Sequence, residues 1–312
     1  MAVVERLGFV GFGEAAFHLA KGLREAGVAH TFAYDIHTHT PGKGEPIQSR
    51  AADTSTQLMP SSAALAEAAD VIIAAVTADQ ALTAAQQTAP YLTARHLYAD
   101  INSVSPSAKQ AVGRAVTAAG ARFVEVAVMA AVPPYLHKVP MLIGGAAAPE
   151  FEALFAPLGM RMEVVSTSQI GRAVAVKMFR SVIYKGLEAL IFECVLGASH
   201  YGAEARVFAS LKKDFPGVDF KKLADYMVGR VVVHGERRAR EMEEVAATLR
   251  ELGIEPMMAE ATARRMDWAA KLDLRSQFGG EFPKTYEDVL EAIAERSQES
   301  EVRGQNAPAE VL

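Results

Sequence analysis

The sequence has few of the residues that build several classes of protein. Its 312 residues include one cysteine, Cys194, so it predicts no intramolecular disulfide and no cysteine-cluster metal site, and indicates a reducing, cytoplasmic setting. The formal net charge of -5 lacks the basic surplus of a nucleic-acid binder. No uncharged run approaches the roughly 20 residues of a membrane-spanning helix. The first residues lack the apolar run and cleavage site of a secretory signal, so none is expected. We therefore expect no membrane and no nucleic-acid partner.

What is present is the composition of an ordinary globular chain. Half of the residues are apolar and 22% are charged, and the length suffices for two domains. Up to about residue 126, apolar runs of strand length alternate with segments of helical periodicity. Residues 71–76 form a continuous apolar run, which is typical of a strand buried on both faces. The alternation predicts an α/β domain with a doubly wound, mostly parallel sheet.

The pattern becomes wholly helical near residue 168. We expect an α/β domain over residues 1–166, an all-helical domain over 167–296 that binds substrate and dimerises, and a flexible polar tail over 297–312. Helices are predicted over residues 169–199, 203–213, 219–250, 256–272 and 284–296.

The most informative local motif lies near the N-terminus. Residues 11–16 read Gly-Phe-Gly-Glu-Ala-Ala, a G-x-G-x-x-A fingerprint that follows a predicted strand and opens a predicted helix. Gly11 permits the tight turn, and Gly13 lets the backbone approach a pyrophosphate at the helix N-terminus. This context predicts a Rossmann dinucleotide-binding domain. Cofactor contacts are expected at Gly11, Phe12, Gly13, Glu14, Ala15, Asp35, Val76, Thr77 and Ser103.

Asp35 bears on which dinucleotide binds. It ends the second predicted strand, about 20 residues beyond the glycine turn, where a carboxylate accepts hydrogen bonds from a ribose 2′-hydroxyl. The same carboxylate would repel a 2′-phosphate, which favours NAD. NADP stays open, because His37 and His39 would accommodate a phosphate if protonated. The alternative is a glycine turn that binds nothing, with Asp35 as a solvated loop residue.

Three further segments resemble one enzyme superfamily. Residues 100–106 read Asp-Ile-Asn-Ser-Val-Ser-Pro, similar to D-x-x-[ST]-x-x-P. Residues 171–177 read Gly-Arg-Ala-Val-Ala-Val-Lys, similar to G-x-G-x-x-x-K. Residues 240–242, Arg-Glu-Met, stand in the place of a K-D-L motif. The chain resembles the β-hydroxyacid dehydrogenases, which include 3-hydroxyisobutyrate and 6-phosphogluconate dehydrogenases. Within them it resembles a subgroup with an uncharacterised C-terminal helical domain.

The resemblance implies roles for individual residues. The hydroxyl of Ser103 would lie by the nicotinamide, Lys177 would be catalytic, and Arg240 would reach the cofactor. It also implies a homodimer in which the helical domains pack together and the chemistry takes place in the cleft between domains.

The residues themselves also single out Lys177. It is a cation in a largely apolar helix, with Arg180 at i+3 and Ser181 at i+4 beside it. Buried polar groups need partners or a water-filled cleft, and such a lysine can act as a general acid or base. The alternative is a lysine whose stem packs while its ammonium reaches the surface.

Departures from the family pattern suggest an atypical substrate. The usual asparagine four residues after the lysine is Ser181 here, and the S-G-G substrate loop reads Met129-Ala130-Ala131. We expect a small anionic substrate with a larger or more apolar part than 3-hydroxyisobutyrate. His234 either lines the cleft or caps a helix. Substrate contacts are expected at Ser103, Met129, Ala130, Arg180, Ser181 and His234, and no metal site is expected.

The sequence thus predicts an NAD(P)-dependent oxidoreductase. It would move a hydride between the nicotinamide and the carbinol or carbonyl carbon of a hydroxy-acid-like substrate. Two alternatives stay open. One is an imine reductase-like enzyme acting on C=N, because such enzymes share the architecture. The other is a non-catalytic NAD-sensing module, which the lost asparagine and S-G-G loop suggest.

Overall fold

A computed structural model describes the backbone of residues 4–305 and the side chains of residues 4–296. The chain divides into two compact units between Met178 and Phe179. The first is an α/β unit with a mostly parallel sheet and the second is helical, so the predicted fold class is confirmed. The predicted boundary at residue 166 coincides with the end of the last strand, whereas the units divide further along, inside the helix that follows.

The first unit is built on an eight-stranded sheet of order β3-β2-β1-β4-β5-β6-β7-β8. Among the described strands, only β6 and β7 pair antiparallel. Val10 pairs with both Tyr34 and Ala74, so the carboxyl ends of β1, β2 and β4 meet at one edge. This edge contains the switch point at which doubly wound sheets bind ligands. The strands are β1 (Arg6–Val10), β2 (His30–Tyr34), β3 (Gln57–Leu58), β4 (Val71–Ala74), β5 (Leu97–Asp100), β6 (Arg122–Val128), β7 (Met141–Gly144) and β8 (Met162–Ser166).

Helices flank the sheet, and two of them begin at a serine side-chain cap. The hydroxyl oxygen of Ser61 accepts a hydrogen bond from the Ala64 N–H at 3.1 Å, and that of Ser105 accepts one from the Ala108 N–H at 3.2 Å. Pro106 stands at the first helical position, where its missing N–H costs nothing. The helices are α1 (Glu14–Glu25), α2 (Gly44–Asp53), α3 (Ser62–Ala68), α4 (Ala81–Thr88), α5 (Pro106–Ala118) and α6 (Ala148–Phe155).

Several elements of the first unit have no counterpart in the predicted pattern. Helix α2 follows the Thr-, Pro- and Gly-rich stretch that begins at Thr38, and β3 has only two residues. No element is predicted over residues 127–166, where the structure has β7, α6 and β8. These runs are short and interrupted by glycine and proline, so they show no clear period.

In its described residues, 179–305, the second unit is built of helices and the turns between them. Its helices are α7 (Arg172–Ser199), whose first residues belong to the first unit, α8 (Glu204–Asp214), α9 (Phe220–Glu251), α10 (Met257–Lys271), α11 (Leu274–Gln277) and α12 (Tyr286–Gln305). Gly235 lets α9 and α10 approach, because a Cβ there would stand 2.9 Å from the Met266 carbonyl oxygen. Residues 297–305 of the expected tail continue α12, and residues 306–312 lie outside the described part.

One absence follows from the described helices. Within residues 4–305, no helix is both long and apolar enough to cross a membrane.

Candidate functional site

Two adjoining cavities of the first unit lie at the carboxyl ends of its central strands. One, of about 380 Å³, extends from the glycine turn to Asp35 and His37. The other, of about 360 Å³, contains Ser103 and Lys177. Ala15, Ala75 and Val76 line both cavities. The cavities therefore form one groove, which we call the nucleotide groove.

The glycine turn forms the floor of this groove. Gly11 has φ +82°, and a Cβ there would meet the Ala75 carbonyl oxygen at 2.5 Å, so only glycine fits. Gly13 precedes α1 without a side-chain cap, and the site of its missing Cβ is empty to 4 Å. Gly13 and the first residues of α1, Glu14 and Ala15, line the groove. An uncapped helix N-terminus beside a groove fits the pyrophosphate of a dinucleotide.

Asp35 closes one end of the groove and is tied to the glycine turn. Its Oδ2 accepts a hydrogen bond from the Phe12 N–H at 2.8 Å, and its Oδ1 accepts one from the His37 N–H at 2.9 Å. Each oxygen keeps a lone pair for a ribose hydroxyl.

The predicted cofactor residues largely converge on this groove. The Phe12 side chain is an exception, because it is fully buried and packs edge-on against Phe9 at 5.8 Å, so only its backbone takes part. The predicted residues that line the groove are Gly11, Gly13, Glu14, Ala15, Asp35, Val76, Thr77 and Ser103.

A buried network at the end of β5 fixes the backbone that leads to Ser103. The Asp100 Oδ1 accepts a hydrogen bond from the Asn102 N–H at 3.0 Å, and the Asn102 Oδ1 accepts one from the Val76 N–H at 2.7 Å. The Nζ of Lys109 donates a hydrogen bond to the backbone carbonyl oxygen of Asp100 at 2.6 Å. It also lies 2.9 Å from the carboxylate Oδ2 of Asp100. Burial lowers the pKa of Lys109, and the neighbouring carboxylate opposes this shift.

The structure brings Ser103 and Lys177 together. The Nζ of Lys177 donates a hydrogen bond to the Ser103 Oγ at 2.7 Å, and both side chains line the second cavity. Seventy-four positions separate these residues in the sequence. A lysine and a hydroxyl in contact at one end of a nucleotide groove can together exchange a proton with a bound alcohol or carbonyl.

Glu125 binds the start of α7, the helix that carries Lys177. It is not among the predicted site residues. This buried carboxylate on β6 accepts a hydrogen bond from the Ala173 N–H, in the first turn of α7, at 3.1 Å. Burial raises the pKa of Glu125, although backbone N–H groups of α7 and the charge of Lys109 oppose the rise. The sequence does carry a signal: a carboxylate within an apolar strand needs a buried partner.

The loop after β6 gives the second cavity an apolar wall. Val128, Ala130, Ala131 and Val132 line it, so Ala130 lies where it was expected. Met129 instead packs with a buried cluster of Ala127, Ala173 and Val174. The wall therefore offers no side-chain donor to a carboxylate.

The other predicted substrate contacts lie in the second unit. The guanidinium of Arg180 stacks over the Tyr184 ring at 5.1 Å, and Ser181 follows it on α7. His234 packs edge-on against Phe282 at 5.4 Å.

Arg240, predicted as a cofactor contact, lies on α9. Its guanidinium is 3.1 Å from the Glu243 carboxylate and is largely exposed. Among the described side chains, no cluster of three or more potential metal ligands exists.

Comparison with known proteins assigns this chain to a family. Residues 6–103 match the family model described as NADP oxidoreductase, coenzyme F420-dependent, and residues 198–269 match a domain of unknown function, DUF1932. A conserved hypothetical protein from Sinorhizobium meliloti 1021 has a solved structure that is 35% identical, with a TM-score of 0.80 over 93% of this chain and 96% of that chain. This chain belongs to the family of that protein.

Other solved structures share the fold of this chain. The conserved protein MTH1747, of unknown function but structurally similar to 3-hydroxyacid dehydrogenases, is 29% identical, with a TM-score of 0.73 over 88% of this chain and 99% of its own. Mycobacterium tuberculosis 3-hydroxyisobutyrate dehydrogenase is 15% identical (TM-score 0.67; 90% and 96% covered), and it shares the fold. An imine reductase from Myxococcus stipitatus in complex with NADP+ also shares the fold. It is 18% identical, with a TM-score of 0.51 over 85% of this chain and 94% of its own.

The resemblance to β-hydroxyacid dehydrogenases with an uncharacterised C-terminal helical domain is thereby confirmed. The chain has the NAD(P)-binding fold of dehydrogenases and reductases, and it shares this fold with a 3-hydroxyisobutyrate dehydrogenase and an imine reductase.

Proposed function

We propose that this protein is an NAD(P)-dependent dehydrogenase that interconverts a hydroxy-acid-like substrate and its carbonyl form. The observation that carries the proposal is the hydrogen bond from Lys177 to Ser103 at the end of the nucleotide groove. When bound in that groove, a nicotinamide dinucleotide supplies the hydride acceptor or donor.

The protein's own groups account for the proton. Ser103 accepts a hydrogen bond from Lys177, so its own hydroxyl hydrogen is available to the substrate oxygen. Lys177 in its neutral form takes the proton that an alcohol loses on oxidation, and returns it when a carbonyl is reduced. The proposed substrate contacts from the second unit are Arg180, Ser181 and His234.

The apolar wall of the second cavity supports a particular kind of substrate. Val128, Ala130 and Val132 line the space beside Lys177 and Ser103. Such a wall favours a substrate that carries an apolar group next to its carbinol carbon, as well as an anionic group elsewhere. This is why we propose a substrate larger or more apolar than 3-hydroxyisobutyrate.

Replacing Lys177 tests the proposal. A panel of hydroxy acids with NAD and with NADP, followed at 340 nm, should identify a substrate for the native protein. Lys177→Met should then lower kcat about 10²–10⁴-fold, the usual contribution of a general acid or base. Lys43→Met, at an exposed lysine beside α2, is the matched control and should keep full activity. Full activity in Lys177→Met would overturn the assignment.

Imine reduction is the second candidate, and the same apolar wall favours it. A neutral cyclic imine needs no carboxylate-binding loop, and the imine reductase from Myxococcus stipitatus shares this fold. Turnover of cyclic imines with NADPH, without turnover of any hydroxy acid, would select this alternative. Tight NADH binding without turnover on either panel would instead indicate a non-catalytic sensing module.

A further inference from the structure

Two arginines in the second unit flank a pair of tyrosines. The guanidinium carbon of Arg180 lies 5.1 Å from the centre of the Tyr184 ring, and that of Arg230 lies 5.9 Å from it. Arg230 also lies 5.2 Å from the centre of the Tyr226 ring. The Tyr184 hydroxyl donates a hydrogen bond to the Tyr226 hydroxyl at 2.8 Å. We call these four residues the arginine–tyrosine cluster.

The cluster lies in a region where cations outnumber carboxylates. Buried Glu188 is shared by two arginines, and Glu241 is shared by an arginine and a lysine. Among the described side chains, Arg180 has no carboxylate within ion-pair distance. The two carboxylates therefore leave a positive excess. The cations of this region are Arg180, which stacks on Tyr184, and the four that pair with these carboxylates, Lys185, Arg230, Arg237 and Arg238.

His234, one turn along α9 from Arg230, lies in the positive electrostatic potential of the same arginines. Burial lowers the pKa of His234, and the charges of neighbouring arginines, Arg230 among them, lower it further. Arginine repulsion also contributes to lowering the pKa of Arg238, after burial, although Glu188 opposes it. A positive potential that disfavours further cations attracts an anion.

The cluster also has hydrogen-bond donors to spare. Arg230 donates its Nε to Glu188 at 3.3 Å, while its Nη groups have no hydrogen-bond partner among the described residues. The Tyr226 hydroxyl accepts from Tyr184, which leaves its own hydrogen available. Arg180 is exposed and Tyr226 is 51% exposed, so a ligand from solvent can reach both.

We propose that the arginine–tyrosine cluster binds an oxyanion, a carboxylate or a phosphate, through Arg180, the Nη groups of Arg230 and the Tyr226 hydroxyl. Guanidinium groups pair with both oxyanions through two parallel hydrogen bonds. Stacking alone explains why the arginines lie over the rings. It explains neither the excess charge nor the donors that remain. Identifying this anion as part of the substrate rests on the proposed function, whereas anion binding itself does not.

Fluorine NMR tests the binding directly, without cofactor or turnover. The chain has eight tyrosines, which can be replaced biosynthetically by 3-fluorotyrosine. Tyr184→Phe and Tyr226→Phe identify the two resonances. Sodium phosphate and sodium malonate are titrated separately, with sodium chloride at matched ionic strength as the reference. We expect at least one oxyanion to shift both resonances saturably beyond the effect of chloride. The arm that saturates at lower concentration distinguishes phosphate from carboxylate.

Arginine variants show whether the cluster is responsible. Arg230→Gln and Arg180→Gln should each raise the dissociation constant about tenfold or more, as expected for the loss of a charged hydrogen bond. Arg180→Gln disturbs no ion pair among the described residues, so it tests the site even if Arg230→Gln unfolds. Arg264→Gln, at an exposed arginine of α10, should leave binding unchanged. The proposal is overturned if neither oxyanion saturates, or if Arg264→Gln weakens binding as much. Neither result depends on hydride transfer.

Discussion

At the scale of single residues, Asp35 is the group that should choose between NAD and NADP. Its oxygens already accept hydrogen bonds from the Phe12 and His37 N–H groups, which fixes the carboxylate at the groove. Asp35→Asn keeps an acceptor but removes the charge that would repel a 2′-phosphate. We expect it to bind NADH about tenfold more weakly and to bind NADPH more tightly than the native protein. Fluorescence titration with both nucleotides measures this. Tighter binding of NADPH than NADH by the native protein would refute it.

The two glycines of the turn should respond differently to the same substitution. Gly11→Ala forces a Cβ against the Ala75 carbonyl at positive φ, so we expect it to lower the melting temperature of the free protein. Gly13→Ala meets no atom within 4 Å, so the free protein should melt as the native one does. It should still bind NADH at least about tenfold more weakly, because its methyl group enters the space for the pyrophosphate. Melting curves and NADH titrations separate the two effects, and equal destabilisation by both substitutions would contradict this explanation.

Residues such as these can be predicted when they belong to a sequence motif with characteristic spacing. Gly11, Gly13 and Asp35 follow from the fingerprint, and Ser103 and Lys177 follow from motifs that resemble a known family. Side-chain direction at an irregular loop is different. Met129 was expected at the substrate but packs into a buried cluster, because the turn after β6 decides where each side chain points.

At the scale of elements, Glu125 couples β6 to the start of α7. Because burial raises the folded-state pKa of this carboxyl, the folded protein holds the proton more tightly than the unfolded chain. Stability should therefore fall as the pH rises from the ordinary glutamate pKa to the raised one. Glu125→Gln is neutral at every pH and should lack this part of the pH dependence.

Urea unfolding at a series of pH values from about 4.5 to 8 measures this contribution. Subtracting the curve of Glu125→Gln from that of the native protein should leave a difference that becomes less favourable to the native protein as the pH rises. Glu163→Gln, at an exposed glutamate of β8, is the matched control and should follow the native curve. Parallel curves for the native protein and Glu125→Gln would show that this carboxyl does not titrate differently on folding.

Elements with a clear helical period or a continuous apolar run are the ones that the sequence predicts. The strands β1, β2 and β4 and the helices α7 to α10 lie close to their predicted positions. Elements β3, β7 and β8 escape prediction because β3 has only two residues, and β7 and β8 lie in a stretch that glycine and proline interrupt. The antiparallel pairing of β7 has no local signature, because strand direction depends on the path of the loop before it.

At the scale of the whole molecule, the class of each unit is predictable while the substrate is not. Alternating strands and helices followed by helices alone specify the two units, and the comparisons confirm the fold. The substrate depends on side chains that distant segments bring together. The Lys177–Ser103 contact spans two motifs, and the arginine–tyrosine cluster joins α7 to α9, so neither can be derived from one stretch of sequence.

We also propose that the protein is a homodimer, as the family resemblance implies. The apolar residues Ile183, Leu187 and Leu190 are 68%, 41% and 57% exposed, and their spacing of four and three residues places them on one face of α7. Such a stripe is costly to leave in water and suits the same stripe of a second copy.

Leu190→Asp should then convert the dimer to a monomer, because an aspartate buried in an apolar interface has no partner. Light scattering after size-exclusion chromatography should give a mass near 33.4 kDa for the variant and twice that for the native protein. Leu252→Asp, at an exposed leucine after α9, should stay dimeric; a monomeric native protein, or a dimeric Leu190→Asp, would rule out this face as the interface.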